Sequence, residues 1–367
     1  MSPRRTLLSP VDPPQSTIYT DFEPPVRRWY HYVPITMTVC LMLAPHPSLL
    51  YVLVRYHLQT REDPLAFGAH LLATYALTFM AFSSLIICVS RDPGPVSLQD
   101  ADSISPTARR RREDDEDDAE EIELTEALVS IDYNAPGRWC NKCWAPKPER
   151  THHCSECNRC VLKMDHHCPW LASRCVGHRT YPAFVHFLTT VTLLAMYITV
   201  ICSRALLFAF RNPYAVDDTT PIHEISLAFY GAVITIVIGS FLCYHLYLIS
   251  TNQTTLENLS PFMLLRHLPP LPSYTGDRLS NPPIEPELSY DQRRLVRDAH
   301  NSIRIYDVGW RRNWAQIFGW KGRWGWVPRV LYGGATKGSG KYFPMNPKAD
   351  DMLARLAEEL VRAEKDR

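Results

Sequence analysis

The chain has 367 residues, with 39 Lys and Arg against 38 Asp and Glu, a formal net charge of +1. That balance excludes the basic footprint of a nucleic-acid-binding protein, and the length leaves room for two or three structural units. The composition, 46% hydrophobic, looks ordinary for a soluble protein only because apolar and polar residues are segregated into blocks.

Residues 1–32 form a polar, Pro-rich N-terminal arm without an early apolar stretch, so no cleavable signal peptide is expected. Residues 33–56 are a first candidate span, interrupted by Pro45, His46 and Pro47. Residues 65–89 carry no charge, and neither do 183–203, the apolar part of a third span over 183–210, nor 225–250. Each run is long enough to cross a hydrocarbon core of about 30 Å at about 1.5 Å per residue. A buried core helix explains one such run, and is a poor account of three. The expected fold is therefore a polytopic α-helical membrane protein with four transmembrane helices around a lipid-accessible cavity. The loops 57–64 and 211–224 carry one arginine each, Arg61 and Arg211, whereas the N-terminal arm carries Arg4, Arg5, Arg27 and Arg28. The positive-inside bias places both termini and the central loop in the cytosol.

The central loop opens with residues 96–130, where Arg109–Arg112 are followed by the acidic run Glu113–Glu121. This composition predicts a disordered, solvated linker. Residues 138–180 form a Cys/His block. The tail, 251–367, begins with a Pro-rich stretch over 261–289 that reads as a spacer. An aromatic-rich patch follows over 306–331. Residues 349–366 predict an amphipathic helix with Leu353, Leu356 and Leu360 on one face.

Seven of the eleven cysteines fall between Cys140 and Cys175. The other four, Cys40, Cys88, Cys202 and Cys243, lie in apolar runs, where a thiol behaves as a small hydrophobe. A disulfide scaffold would spread its cysteines differently, so a reducing compartment and zinc are expected. The block reads Cys140-x2-Cys143, His152-His153-Cys154-x2-Cys157-x2-Cys160, Asp165-His166-His167-Cys168 and Cys175. Zinc takes four thiolate or imidazole ligands in tetrahedral geometry, and a C-x2-C turn aims two sulfurs at one ion. Two Cys3His sites would consume six cysteines and two histidines and leave one cysteine without a metal. Such metals would hold a small domain together. Cys168 is the natural remainder, beside His166 and His167, which can take its proton, with Asp165 placed to orient a histidine. The competing reading makes Cys168 and His166 further ligands in a purely structural zinc finger. The position of the block, some ten residues before the third span, favours chemistry at a membrane surface.

These residues resemble the DHHC family of protein S-acyltransferases, a likeness that covers the four spans, the cysteine-rich domain and two tail motifs. Lys147-Pro148-x-Arg150-x2-His153-Cys154 is similar to the family's lead-in, and Asp165-His166-His167-Cys168-Pro169-Trp170 is similar to its signature. Cys175-Val176-Gly177 follows. Thr254-Thr255-Leu256-Glu257 resembles the TTxE motif, and Tyr306-Asp307-Val308-Gly309 with Asn313-Trp314 and Phe318-Gly319 resembles the C-terminal aromatic motif.

The resemblance implies two structural Zn2+ ions, one on Cys140, Cys143, His153 and Cys160, the other on Cys154, Cys157, His167 and Cys175. It implies Cys168 as nucleophile, His166 as general base and Asp165 as its orienting partner. The reaction would be ping-pong, with acyl-CoA (palmitoyl-CoA) as co-substrate and protein substrates with membrane-proximal cysteines as acceptors. Lys147 and Arg150 are candidate contacts for the coenzyme A phosphates. The TTxE and aromatic motifs would pack the tail on the membrane domain. The other expected partners are the lipid bilayer and an accessory subunit, with no nucleic acid. The expected location is a multi-pass position in an endomembrane (ER, Golgi or vacuole), with the catalytic domain cytosolic.

Three departures stand out. Cys168-Pro169-Trp170-Leu171-Ala172-Ser173-Arg174-Cys175 is one residue longer than the family's Cys-Pro-Trp-x-x-Asn-Cys, with Arg174 in place of Asn. The added residue is expected either to be absorbed as a bulge or to loosen Cys168 and Cys175. Thr180 and Arg304 also stand where Asn is usual. Two other function classes compete: a membrane-anchored zinc scaffold without catalysis, and a transporter or channel. The spans hold mainly His70, His186 and His245, few ionisable groups for a transport pathway.

Overall fold

The computed structural model describes residues 28–94, 96, 139–143, 145–217, 219–271, 279–320 and 322–365. The N-terminal arm up to residue 27 and the charged linker over 97–130 lie outside them.

Among the described residues, four helices are long and apolar enough to cross a membrane: Trp29–Thr60, Pro64–Ser90, Tyr181–Arg211 and Thr220–Ser250. The first runs past the expected interruption at Pro45. A proline lacks an N–H and orphans the carbonyl four residues earlier, here Leu41 O. The Tyr230 hydroxyl of the fourth span donates to that oxygen at 2.6 Å, so the chain continues as helix. The first span ends in a π-helical segment, Val54–Thr60. The second begins with Pro64 in its first turn behind Asp63, whose carboxylate accepts from Ala66 N at 2.9 Å. This start uses the proline where its missing donor costs nothing.

The third and fourth spans form the tightest pair. Gly231 makes this possible, since a Cβ there would stand 2.7 Å from Ala195 O and collide with Thr199. Two apolar clusters fill the bundle. One lies at the Cys168 end, with Leu85, Phe184, Leu188 and Ile249. The other lies at the opposite end, with Leu49, Leu53, Ile198 and Leu227.

Between the second and third spans the described residues make three two-stranded antiparallel hairpins. They are β1 (Trp139–Cys140) with β2 (Ala145–Pro146), β3 (His152–Cys154) with β4 (Arg159–Val161), and β5 (His166–Cys168) with β6 (Arg174–Val176). The hairpins reach the bundle through Gly177, where a Cβ would meet Pro93 O at 2.9 Å and Leu162 O at 3.0 Å.

After the fourth span come the helices Thr255–Leu259, Tyr290–Ser302, Trp310–Phe318, Trp326–Tyr332 and Ala349–Lys365. Leu353, Leu356 and Leu360 of the last helix are buried in the tail's own core. The stretch read as a Pro-rich spacer is not one: Leu264, Leu265, Leu268, Leu271, Leu279 and Leu288 enter that core. Pro261 starts a 3-10 segment over Pro261–His267, so proline shapes short turns while the leucines between them are buried.

Gly231→Ala is expected to push the third and fourth spans apart and cost about 1–3 kcal/mol, read as a lower thermal midpoint of the detergent-solubilised protein.

Candidate active site and metal centres

The three hairpins bring the cysteines and histidines into two groups. Cys140, Cys143, His153 and Cys160 form one, Cys154, Cys157, His167 and Cys175 the other, and in each the ligand atoms lie within 4.8 Å of one another. In the second group His167 Nδ1 stands 3.6 Å from Cys154 Sγ, 3.5 Å from Cys157 Sγ and 3.8 Å from Cys175 Sγ. In the first, His153 Nδ1 is 3.6 Å from Cys140 Sγ and 3.2 Å from Cys143 Sγ. A tetrahedral zinc with bonds of about 2.0–2.3 Å separates neighbouring ligand atoms by roughly 3.5–3.8 Å. The donor sets, three thiolates and one imidazole nitrogen, therefore fit zinc in chemistry and spacing. His153 and Cys154 are chain neighbours that serve different groups, as the β3–β4 register His153↔Cys160 and Cys154↔Arg159 requires. With Nδ1 turned to the metal, His167 Nε2–H donates to Ser173 Oγ at 3.0 Å, an outer contact that orients the ring.

Ser173 belongs to the segment with the added residue. Pro169–Leu171 make a 3-10 turn, then Ala172 and Ser173 both adopt φ 54°, the left-handed region. These two residues turn the chain back, and β5 pairs with β6 in the register His167↔Cys175 and Cys168↔Arg174. The extra length is absorbed in the turn, and Cys175 stays in its metal group. Arg174 occupies a strand position rather than a ligand position.

Cys168 is the one cysteine between Cys140 and Cys175 that joins neither metal group. It is 8% exposed and packs into the apolar cluster that closes this end of the bundle, on the side of the spans rather than within the two metal groups. The neighbouring Asp165 is 1% exposed, and its Oδ2 accepts from His166 Nδ1–H at 2.8 Å. A carboxylate only accepts, so Nδ1 carries the proton and Nε2 is left for the thiol. Burial alone would lower the basicity of His166. The hydrogen bonds to Asp165 and Cys168 outweigh it and raise the imidazole to about 9. Burial likewise opposes the Asp165 charge, and the bonds from His166 and Thr255 overcome it and hold the carboxyl below its usual range. A histidine of raised basicity is equipped to take the proton of a thiol and to stabilise the thiolate beside it.

A family model for the DHHC palmitoyltransferase matches residues 133–261. "Probable protein S-acyltransferase 1" of Arabidopsis thaliana is 31% identical over 229 residues, 61% of this chain and 67% of that protein. The chain belongs to the DHHC palmitoyltransferase family. "Probable protein S-acyltransferase 2" of the same plant is 31% identical over 217 residues, 58% of this chain and 53% of that protein. "Palmitoyltransferase pfa3" of Aspergillus fumigatus is 40% identical over 179 residues, 48% of this chain and 31% of that protein. The chain thus matches from about a third to two thirds of the length of these curated relatives.

In this DHHC protein the TTxE motif does more than dock the tail. Thr255 N donates to Asp165 Oδ1 at 3.0 Å and Thr255 Oγ1 to Oδ2 at 2.7 Å, so the threonine fixes the carboxylate that fixes His166. Sequence reasoning assigned this motif to packing alone. The signal available was the second Thr of the motif; its partner lies ninety residues away across two spans. Thr254 and Glu257 close a reciprocal capping box that sets the start of the Thr255–Leu259 helix.

Arg150 corrects an expectation. Its side chain is 1% exposed, and Nε and Nη2 each donate to Glu257 at 2.7 Å. Nη1 and Nη2 donate to Asn252 Oδ1 and O, both at 2.9 Å. The guanidinium lies over the rings of Tyr306, at 4.4 Å, and Phe343, at 5.0 Å. The guanidinium donors engaged in this way by Glu257 and Asn252 are committed inside the protein rather than held out to a coenzyme A phosphate. Lys147 lines an open cleft with Arg266 and Arg304, and Arg150 forms part of its wall. Lys163 is buried close by, and burial, with Arg150 adding to it, pulls its amine down to about 7. The aromatic motif completes the joint: Asn313 Nδ2 donates to Ser250 O at 2.8 Å and Trp314 Nε1 to Ser250 Oγ at 3.0 Å. Arg304, where the family usually has Asn, bonds the Tyr247 hydroxyl at 3.2 Å, so the tail stays attached to the fourth span.

Glu257→Ala is expected to leave Arg150 buried without its counter-charge, costing about 3–5 kcal/mol, measured as thermal stability in detergent. In metal analysis, Cys175→Ser and His153→Ala are expected to lose zinc. Cys168→Ser and His166→Ala are expected to keep the wild-type content, and loss of metal in Cys168→Ser would overturn its assignment as the free cysteine.

Proposed function

We propose that the protein transfers a long-chain acyl group, palmitoyl foremost, from acyl-CoA to protein cysteines by way of an S-acyl-Cys168 intermediate. The observation that carries this reading is the position of Cys168. It is outside both metal groups, beside the Asp165–His166 pair, and packed against the ends of the spans.

The steps follow from the groups present. His166 Nε2 takes the proton of Cys168, and Asp165 steadies the imidazolium. The thiolate attacks the thioester carbonyl, the bond from carbon to the coenzyme A sulfur breaks, and that sulfur leaves with the proton returned by His166. The acyl chain then lies among apolar side chains such as Leu85 and Phe184. In the second half, His166 takes the proton of an acceptor cysteine, whose thiolate attacks the acyl-Cys168 carbonyl, and Cys168 leaves reprotonated. Thioester exchange is close to isoenergetic, so the protein chiefly supplies position and a thiolate. The two zincs, when bound, fix the hairpins that carry these residues and take no part in the exchange.

The coenzyme A phosphates are assigned to the cleft at Lys147, now without Arg150. Both termini and the hairpins face the cytosol of an endomembrane, as the arginine distribution indicates. The acceptors are cysteines of membrane-proximal protein segments. The absorbed insertion before Cys175 removes the main motive for a non-catalytic scaffold.

Purified protein incubated with labelled long-chain acyl-CoA is expected to take up label that hydroxylamine releases, and Cys168→Ser to take up none. Absence of label on wild-type protein that still binds zinc would reject the proposal. Thr255→Val is expected to slow self-acylation by about 10²-fold or more, the lower range for losing a positioned acid–base group, with zinc content unchanged.

A further inference from the structure

The end of the bundle remote from Cys168 holds a second built site. A cavity of about 370 Å³ opens between the last turns of the first span and the start of the fourth, lined by Arg55, Gln59, Tyr214, Asp217, Thr220 and Glu224 among others. This volume is in the range of small-ligand sites and many times the ~30 Å³ of one water. Its wall on the first span is the π-helical segment Val54–Thr60, an arrangement found mostly at functional positions.

The charges of the lining decide what the cavity takes. Arg55 Nη2 is 2.6 Å from Asp217 Oδ2, and Nη1 donates to Gln59 Oε1 at 2.6 Å. Asp217 also accepts from the Tyr51 hydroxyl at 3.2 Å, from Thr219 Oγ1 at 2.8 Å and from Thr220 Oγ1. Asp217 is therefore fully engaged. Glu224 is different: it is 1% exposed, and its Oε2 has no hydrogen-bond partner. Among the described lining residues, one arginine stands against two carboxyl groups; Arg55 is taken by Asp217, and Glu224 is left without a counter-charge. A buried carboxyl oxygen without a donor is unfavourable, and a monocation that donates hydrogen bonds would both satisfy Oε2 and supply the missing counter-charge.

A hard metal ion would need six or more oxygen ligands, and with Asp217 committed the described lining residues offer only Glu224 as a carboxyl group without a partner. An ammonium group needs one such oxygen and a few neutral acceptors. The cavity lies at the ends of the first and fourth spans, the level at which a bilayer around those spans would present its headgroups, and amino-phospholipids supply that chemistry. We propose that this cavity binds a primary alkylammonium group, the amine of a phospholipid headgroup, with an N–H donated to Glu224 Oε2. Acyl transfer at the opposite end makes no use of the cavity, and the proposal does not depend on it.

The test uses full-length protein in lipid-depleted detergent micelles and reads the thermal midpoint. Dioleoyl phosphatidylethanolamine is expected to raise it by at least about 2 °C. Phosphatidylcholine with the same chains, whose ammonium has no N–H, is expected to raise it by less than half as much. Glu224→Gln is expected to abolish the difference between the two lipids. Free ethanolamine that stabilises wild type but not Glu224→Gln would support the ammonium chemistry with a soluble source. An equal response of wild type to both lipids would overturn the proposal, whether or not the variant folds, and so would undiminished selectivity in Glu224→Gln.

Discussion

The ion pair of Arg150 and Glu257 is the joint on which the arrangement depends. It connects the lead-in to the second hairpin with the first turn after the fourth span, and both partners are nearly removed from solvent. Buried pairs of this kind contribute little net stability compared with apolar packing, yet they tolerate only one geometry. Here that geometry has a use. Glu257 caps the helix whose first residue is Thr255, and Thr255 holds Asp165. A displacement of the tail is passed, through two hydrogen bonds, to the imidazole beside Cys168. Asn252 and the Tyr306 ring close the remaining faces of the guanidinium, so the two tail motifs converge on one cation.

The parts legible in the sequence were those governed by local rules. Uncharged runs of adequate length appear as helices able to span a membrane, because hydropathy and length are properties of a segment alone. The C-x2-C spacing sets sulfur against sulfur through one turn, so the two metal groups contain the residues that the motif resemblance implied. The count of cysteines singled out Cys168 for a reason of the same local kind.

What was not legible depends on distant segments. Arg150 looked like a phosphate contact because its partner Glu257 is more than a hundred residues away. Thr255 looked like a packing residue because Asp165 lies on the other side of two spans. The interruption at Pro45 disappeared because a tyrosine on another helix supplies the missing donor. The spacer over 261–289 failed for a related reason: proline content describes turns, but the burial of the leucines between them depends on the helices that come later, Tyr290–Ser302 and Ala349–Lys365.

The left-handed pair Ala172–Ser173 bears on how such chains are recognised at all. What the chemistry fixes between Cys168 and Cys175 is a strand register, with His167 opposite Cys175, and not a number of intervening residues. The hairpin tip is free to lengthen as long as the turn closes and a hydroxyl or amide reaches the outer nitrogen of the metal-binding histidine. A definition written as a fixed spacing would discard a chain of this kind as a degenerate copy. A definition written as a pairing would keep it, and would treat tip length as neutral variation in the same way that loop lengths vary between the members of any protein lineage.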